Sequence, residues 1–394
     1  MKQVKDEGIW RPERFLSRPA FDKDLCEAAL GGILAKIDRN MATFITDFPA
    51  PASRGGNYPP IGNTEWTSSF WTGLLWLAYE VSGDPKYREA AENHLPGFER
   101  RVRERICVAT HDLGFLYSLS CVAAYKLTGE RRARETALLA AELLAARYFE
   151  RAGIIQAWGD LNDPAQRGRM IIDCNMNLPL LYWASQVSGN PVYGRAAYRH
   201  ALQSRDHIVR EDASTFHTFY MDVETGAPRF GATAQGFADD SCWARGQAWG
   251  LYGFVLSYLY TGDGSFIETA KKLIHYFLNR LPEDDVCYWD LIFTAGTEER
   301  DSSAAAIAAC GLLEISRLLP LLDPLKTIYE NAALRIIRSL AENYSAAGLD
   351  SNGLLRHAVY SKPAREGVDE CVIWGDYFYF EALVRLHKDW KPYW

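Results

Sequence analysis

The chain has 394 residues, of which 48% are hydrophobic and 24% are charged. This composition is typical of a globular protein with a sizeable core and excludes a largely disordered chain. Forty-three Lys and Arg against 50 Asp and Glu give a formal net charge of -7, which does not favour nucleic-acid binding. The sequence shows no secretory signal and no apolar run near the roughly 20 residues of a membrane span. We therefore expect a cytoplasmic protein that binds neither nucleic acid nor membrane.

The predicted elements form a diverged helical repeat. Each unit begins with an apolar helix, passes a turn such as VSGD, LTGE, VSGN or YTGD, and continues into a more polar helix. The Gly of each turn stands where a helix C-cap belongs. Apolar helices are predicted at 67–82, 111–128, 175–188, 243–261, 302–319 and 373–388. Amphipathic helices are predicted at 22–43, 85–104, 130–150, 191–212, 263–281 and 322–344.

Six apolar helices that alternate with six amphipathic ones predict an all-α fold, an (α/α)6 barrel of six inner and six outer helices. We expect one catalytic domain over residues 1–394, with an irregular N-terminal segment at about 1–20. An open helical solenoid would show the same local pattern. A solenoid needs polar capping repeats, however, whereas the last helix, VIWGDYFYFEALVRL, is as apolar as the middle ones.

The inner helices of such a barrel run in one direction, so their N-terminal ends meet at a single mouth. Their six positive helix ends favour an anionic ligand such as a uronate. Aromatic, carboxylate, amide and cationic side chains together are typical of a carbohydrate site. The residues at these ends are Trp66, His111, Asp112, Asp173, Asn175, Asn177, Arg245, Trp249, Ser302, Ser303, Trp374 and Asp376.

Two of these residues are candidate acid/base groups. Asp112, in THDLGF, could equally cap its helix, because Asp is a favoured N-cap residue. Asp173 follows Ile171 and Ile172, and Pro179 predicts that the regular helix begins several residues later. A carboxyl group among apolar neighbours is a candidate for the raised pKa that a general acid requires.

Arg245 and Trp249 lie four residues apart and share a helix face, so one could bind a carboxylate while the other offers a stacking surface. The alternative is a buried Arg245 that pairs with Asp239 or Asp240.

His217 and Gln235 lie in the long segment 213–241 between helices, and loops over a rigid scaffold often carry binding groups. A structural role for His217 is the alternative. The eight cysteines are scattered without zinc-site spacing, and the phosphate-loop, serine-hydrolase and zinc-protease motifs are missing from the sequence.

Six motifs, in this order, closely resemble those of the unsaturated glucuronyl hydrolases, glycoside hydrolase family 88: THDLGF, AWGD, IIDCNMNLPLL, FHTFYMD, TAQGF and ARGQAWGLYG. The likeness runs from about Trp66 to the C-terminal inner helix. It implies an (α/α)6 barrel that removes unsaturated glucuronic acid from the non-reducing end of small oligosaccharides made by polysaccharide lyases. The implied reaction hydrates a vinyl ether, which needs a proton donor, a base and water, so we expect no metal and no organic cofactor.

The resemblance also implies residue roles. Asp173 would protonate C4 of the uronic acid and assist the water that attacks C5, after which the hemiketal opens and releases the remaining sugar. Asp112 would be the second carboxylate, which influences the protonation of Asp173. The resemblance assigns substrate binding to Trp66, Trp158, His217, Gln235, Arg245 and Trp249, and the residues of the mouth add His111, Asn175 and Trp374.

Some members of the family accept sulfated substrates through a basic residue beside the TAQG position and a Ser/Lys-rich loop near the C-terminus. Here Ala234 precedes Gln235, and the later segment keeps only Ser361 and Lys362, so we expect unsulfated or weakly sulfated substrates. The alternatives are an unsaturated rhamnogalacturonyl hydrolase, a sugar epimerase with paired histidines, and a non-catalytic carbohydrate-binding protein. The chain could be a monomer or a homodimer.

Overall fold

The computed structural model describes residues 3–394, so the first two residues of the predicted irregular segment lie outside the described part. The rest of that segment contains one 3-10 turn, Pro12–Phe15. It contacts two loops of the chain: the Lys5 N–H donates to the carbonyl oxygen of Glu211, and Arg14 forms an ion pair with Asp285 at 2.6 Å.

The helices have the following bounds in chain order: α1 (Lys23–Met41), α2 (Ser68–Ser82), α3 (Pro85–Arg103), α4 (Leu113–Tyr117), α5 (Ala123–Thr128), α6 (Arg131–Ala145), α7 (Cys174–Ser188), α8 (Pro191–Gln203), α9 (Ala244–Thr261), α10 (Gly264–Asn279), α11 (Ser302–Leu318), α12 (Pro324–Ser339) and α13 (Ile373–His387). A π-helical turn, Ser118–Val122, joins α4 to α5, so the two form one long helix. Within residues 3–394, no helix combines the length and apolar character needed to cross a bilayer.

The inner helices close into a ring. Around it, α2 contacts α4, α4 contacts α7, α7 contacts α9, α9 contacts α11, α11 contacts α13, and α13 returns to α2. The remaining helices cover this ring: α3 packs on α2, α6 on α4, α8 on α7, α10 on α9, α12 on α11 and α1 on α13. The contact between α13 and α2 excludes the open solenoid, and the predicted (α/α)6 barrel is confirmed.

All six inner helices begin and end within two residues of their predicted bounds. Glycine turns stop four of them. The glycines of the four repeated turns have left-handed φ angles between 69° and 75°. The next residue in each turn caps the following outer helix with its side-chain oxygen. The predicted helix 130–150 is too long: it ends at Ala145, because Tyr148–Phe149 pairs with Ile154–Ile155 as a two-stranded ribbon.

The sequence did not predict the short strands, which are β1 (Phe48–Pro49), β2 (Pro60–Ile61), β3 (Tyr148–Phe149), β4 (Ile154–Ile155), β5 (Arg169–Ile171), β6 (Thr218–Met221), β7 (Pro228–Ala232), β8 (Ala358–Ser361) and β9 (Glu366–Glu370). Each one lies in a connection that leads from an outer helix to the next inner helix. These connections all arrive at the N-terminal ends of the inner helices, so the strands build the rim of the mouth. The antiparallel sheet β5-β6-β7 is the largest part of this rim.

Helices α4 and α7 begin in direct backbone contact. A Cβ atom on Gly114 would lie 2.2 Å from the Cα of Asn177, which no side chain could tolerate. Because Gly114 leaves this space empty, the first turns of the two helices approach closely. The residues just ahead of the two helices, Asp112 and Asp173, are therefore brought together at the mouth.

Candidate active site

A cavity of about 230 Å³ opens at the N-terminal ends of the inner helices. Eight of the eleven predicted site residues line it, although they are far apart in the sequence. Its wall consists of Trp66, His111, Asp112, Trp158, Ile171, Asp173, His217, Ala234, Gln235, Arg245 and Tyr360. Carboxylates, indole rings, an amide and a guanidinium thus face one small volume, as a carbohydrate site requires.

Asp112 directly precedes α4 but does not cap it, so the capping alternative is wrong. Its Oδ2 accepts a hydrogen bond from the Thr110 hydroxyl at 2.7 Å, and its Oδ1 lies 3.3 Å from Nε2 of His111. Burial would raise the pKa of Asp112, but His111 and the Thr110 hydroxyl together hold it below its ordinary value. Asp112 is therefore the ionised carboxylate of the site.

Asp173 also stands directly before its helix, since α7 begins at Cys174 and not several residues later, as Pro179 had suggested. Pro179 lies inside α7, where the helix lacks the backbone hydrogen bond that this position would otherwise donate to the carbonyl oxygen of Asn175. The side chain of Asp173 caps nothing, and its buried Oδ2 has no hydrogen-bond partner within residues 3–394. Burial raises the pKa of Asp173 to about 7; the charge of Asp112 adds to this rise, whereas His111 and Arg245 oppose it.

Asn177 ties the two carboxylate positions together. Its Nδ2 lies 3.5 Å from Oδ1 of Asp112 and 3.3 Å from the carbonyl oxygen of Asp173, while its Oδ1 accepts the N–H of Phe115 at 2.7 Å. One amide side chain thus fixes the start of α4 relative to the start of α7. Two neighbouring carboxyl groups with opposite pKa shifts form the arrangement in which one is a proton donor and the other stays charged.

His217 holds a loop in place and also lines the cavity. Its Nδ1 accepts the N–H groups of Ala234 at 3.0 Å and Gln235 at 3.2 Å, so Nε2 carries the proton of the neutral ring. Burial, with Arg245 adding to it, lowers the pKa of His217 to about 3. His217 therefore holds the TAQG loop in place and offers a neutral N–H donor.

Arg245 lies between the rings of Trp243 and Trp374, 4.3 and 4.9 Å from their centres. Its Nη1 lies 3.3 Å from Oδ2 of Asp301, and its Nη2 donates to the carbonyl oxygen of Tyr360 at 2.7 Å. The buried ion pair that was considered for Arg245 is present, but with Asp301 instead of Asp239 or Asp240. Arg245 nevertheless reaches the cavity wall and gives it a fixed positive charge.

Two half-buried indole rings flank the carboxylates. Trp66 packs at 5.1 Å against Trp374 and donates from Nε1 to the Tyr360 hydroxyl at 3.1 Å. On the other side, the Arg169 guanidinium lies 4.7 Å from the centre of the Trp158 ring. Both rings are held rigidly and can stack on the apolar face of a sugar.

Three predicted binding residues do not line the cavity. Trp249 is fully buried, because four residues along an inner helix correspond to about 6 Å of descent into the ring; its ring packs against Phe115 at 5.2 Å. Trp374 is buried behind Arg245 and Trp66 and donates from Nε1 to the Ser303 hydroxyl. Asn175 points to the outer layer and donates to the Ser204 hydroxyl at 3.1 Å. All three lie outside the cavity wall and support the residues that form it, whereas the sequence had placed them at the substrate-binding surface.

Tyr360, Arg169 and Thr110 are site residues that sequence reasoning missed. Tyr360 and Arg169 lie on the rim strands β8 and β5, which the helical pattern did not reveal. Thr110 could have been found, because it stands two residues before Asp112 and its hydroxyl is within reach of that carboxylate. Within residues 3–394, no group of three or more His, Cys, Asp or Glu side chains has an arrangement that could hold a metal ion.

Comparison with known proteins assigns the chain to a family. The sequence profile of Glycosyl Hydrolase Family 88 matches residues 36–381. The chain belongs to glycosyl hydrolase family 88. As a member of family 88 it is a glycoside hydrolase, and the resemblance that the six motifs carried is confirmed.

Individual relatives match this family 88 chain over its whole length. The unsaturated chondroitin disaccharide hydrolase of Streptococcus pneumoniae is 48% identical over 396 residues, which cover 100% of both chains. The crystal structure of unsaturated glucuronyl hydrolase from Streptococcus agalactiae superposes with a TM-score of 0.97, at 46% identity and 100% coverage of both chains. A mutant of the latter enzyme, complexed with dGlcA-GalNAc6S, superposes with a TM-score of 0.90, at 44% identity and 100% coverage of both chains.

Proposed function

We propose that this chain releases the unsaturated (4,5-ene) glucuronic acid from the non-reducing end of lyase-generated oligosaccharides. The observation that carries this proposal is the pair of carboxyl groups at the mouth. Asp173 has a pKa near neutrality and a buried oxygen that has no hydrogen-bond partner among residues 3–394, and it stands beside an ionised Asp112 and a fixed guanidinium. The names of the Streptococcus relatives point to the same chemistry.

In the proposed reaction, the carboxyl proton of Asp173 moves to C4 while the C4=C5 double bond supplies the electron pair for the new C–H bond. A water oxygen bonds to C5, and its proton passes to the Asp173 carboxylate, which restores the acid. The resulting hemiketal at C5 opens and rearranges, and the glycosidic oxygen leaves with the rest of the sugar. Asp173 thus gives one proton and takes one back, which a pKa near 7 allows in both directions.

The other wall residues supply binding. Arg245 and the neutral Nε2–H of His217 offer positive charge and a donor for the uronate carboxylate, and the N-terminal ends of the inner helices add to the positive field. Trp66 and Trp158 offer the stacking surfaces. Direct displacement by two carboxylates, which most glycosidases use, would require a nucleophile, whereas Asp112 is already engaged by Thr110, His111 and Asn177.

A panel of lyase-generated disaccharides tests this proposal. The ultraviolet absorbance of the unsaturated uronide should fall with a chondroitin- or hyaluronan-derived unsaturated disaccharide, because hydration removes the double bond. If only an unsaturated rhamnogalacturonan disaccharide were consumed, the chain would be a pectin-fragment hydrolase instead. Tight binding of every disaccharide without any loss of absorbance would identify a non-catalytic carbohydrate-binding protein and contradict the proposal.

We further propose a preference for unsulfated or weakly sulfated substrates. Lys362, the lysine of the late segment, forms ion pairs with Glu298 and Glu299, which neutralise it. Its side chain is therefore not free to receive a sulfate, and Ala234 offers no charge beside Gln235. A higher kcat/KM for an unsulfated disaccharide than for its 6-sulfated counterpart is the expected result, and the reverse order would contradict it.

We also propose that residues 1–394 form one catalytic domain that works in the cytoplasm as a monomer or homodimer. The eight free thiols, seven of them buried, support a reducing compartment. Cell fractionation would test the compartment, and the molecular mass in solution would test the oligomeric state.

A further inference from the structure

One cation on the rim of the mouth has no ionic partner. Arg169, the first residue of β5, is not part of the cavity wall, but its guanidinium lies 4.7 Å from the centre of the Trp158 ring, which is. Its Nε donates to the Tyr220 hydroxyl at 2.9 Å. Within residues 3–394, Nη1 and Nη2 of Arg169 have neither a hydrogen-bond partner nor an ion-pair partner. The reaction described above leaves this positive charge unused.

The rim sheet β5-β6-β7 holds the guanidinium in place. Arg169 stands directly opposite Tyr220, and Tyr220 stands directly opposite Phe230, so the three side chains form one row on the same face of the sheet. Tyr220 and Phe230 stack with 4.7 Å between ring centres, and the Arg169 guanidinium lies 5.4 Å from the centre of the Tyr220 ring. The next residue, Met170, points to the other face and belongs to a buried apolar cluster. Arg169 is thus fixed between the rings of Trp158 and Tyr220, and only its two terminal nitrogens are left for a ligand.

The chemistry of this group indicates an anionic ligand. Two other arginines of the region already have carboxylate partners: Arg167 pairs with Glu224 at 2.9 Å, and Arg245 pairs with Asp301 at 3.3 Å. Arg169 is half-buried, so a ligand can reach it from the solvent. A guanidinium that is held by stacking and has both terminal nitrogens free offers two parallel N–H donors, which is the geometry that matches a carboxylate.

The position of Arg169 shows which part of a substrate it reaches. It covers one face of the Trp158 ring, so a sugar in the cavity can stack only on the opposite face. The cavity, at about 230 Å³, is smaller than the roughly 300–1,000 Å³ of most ligand pockets, so the later units of an oligosaccharide lie outside it, over the rim. Where uronic acids alternate with neutral sugars, the next carboxylate belongs to the third unit. We propose that Arg169 binds the carboxylate of this third sugar unit, an inference that rests on the proposed function and adds a second anionic subsite to it.

Binding to the Asp173→Asn protein tests this subsite without turnover. Calorimetry would compare an unsaturated disaccharide with an unsaturated tetrasaccharide from the same unsulfated polymer, in which uronic acid alternates with a neutral sugar. The tetrasaccharide should bind about five- to tenfold more tightly, because only its third unit brings a carboxylate to Arg169. This advantage should shrink when the salt concentration is raised, since salt screens the attraction between partly exposed charges.

Arg169→Met, made in the same protein, removes the charge. It also loosens Trp158, but that loss affects both substrates equally and cancels in the ratio of their two dissociation constants. The advantage of the tetrasaccharide should therefore disappear. Arg169→Lys keeps the charge without the two parallel donors and should retain part of the advantage. Arg229→Met, at an exposed position on β7 of the same sheet, is the matched control and should leave the ratio unchanged.

An unsaturated tetrasaccharide whose third unit is a neutral sugar identifies the group that is bound, and it should bind no more tightly than the disaccharide. The inference is overturned if both lengths bind equally while Arg169 is present, if the neutral tetrasaccharide keeps the advantage, or if the advantage survives Arg169→Met. Turnover of the disaccharide by the wild-type protein is a separate measurement. Its absence would contradict the proposed function, whereas equal binding of the two lengths would contradict only the subsite.

Discussion

The two ends of the inner ring bury charged groups in opposite ways. At the end away from the mouth, Nε of Arg385 lies 3.1 Å from Oε1 of Glu381, and Nη1 of Arg385 pairs with Glu314. Glu381 also accepts the hydroxyl of Tyr252 at 2.7 Å and Nε1 of Trp394 at 2.9 Å. At the mouth, by contrast, the buried Oδ2 of Asp173 has no partner within residues 3–394.

The charged groups at both ends are buried, and the two ends differ in whether the buried oxygens have hydrogen-bond or ion-pair partners. A buried charge whose oxygens are all paired has its interaction energy already committed to the folded state, so it contributes to structure. A buried carboxyl group held by the backbone but left unpaired keeps its proton, and that proton is available to a ligand. The same architecture of inner helices therefore gives a structural cluster at one end and a reactive site at the other.

Asp173→Asn should have the largest effect. The amide keeps the size of the side chain but cannot donate and recover a proton, so kcat should fall by about 10²–10⁴-fold or more. The melting temperature and disaccharide binding should change little, because the carboxyl group caps no helix. Asp240→Asn, at an exposed position before α9, is the control. Near-normal turnover by the Asp173→Asn protein would remove Asp173 from the role of acid.

Arg385→Met should affect stability instead of chemistry. It leaves Glu381 and Glu314 buried without their cation, which costs about 3–5 kcal/mol of unfolding free energy. Activity per folded molecule, measured well below the lowered melting temperature, should stay close to wild type. Arg317→Met, which removes an exposed partner of Asp389, should cost less than about 1 kcal/mol. A large loss of kcat in folded Arg385→Met protein would contradict the division between the two ends.

The pH dependence of the wild-type enzyme tests whether the unpaired carboxyl group at the mouth supplies the proton. Because the pKa of Asp173 is raised to about 7, the acid form is complete well below that pH and is lost above it. The value of kcat/KM should therefore fall above about pH 7, by about tenfold for each further pH unit. An unchanged rate up to pH 9 would show that Asp173 does not supply the proton.

Sequence periodicity was sufficient for the inner helices, because they are apolar all round and glycine turns mark the ends of four of them. It also placed Asp112 and Asp173 at one mouth. Periodicity could not show how far each residue lies from the mouth. The spacing of Arg245 and Trp249 places both on one helix face, but it does not show that Trp249 is buried one turn below the cavity. Periodicity also could not predict the ion pair between Arg245 and Asp301, because the two residues are 56 positions apart and no local sequence pattern indicates a contact at that distance.

Substitution of Arg169 should have the smallest effect of the three test substitutions, and it distinguishes the rim of the mouth from its centre. Its guanidinium stacks on Trp158, and its Nε donates to the Tyr220 hydroxyl at 2.9 Å, so it holds Trp158 in place without reaching the carboxylates. Arg169→Met should raise KM about three- to tenfold and leave kcat unchanged, because looser stacking weakens substrate and transition state equally. Arg229→Met, which removes a cation above Phe230 on the outer strand of the same sheet, should leave both constants unchanged. If kcat instead fell with unchanged KM, Arg169 would act on the reacting carboxylates, and the separation of rim and centre would be wrong.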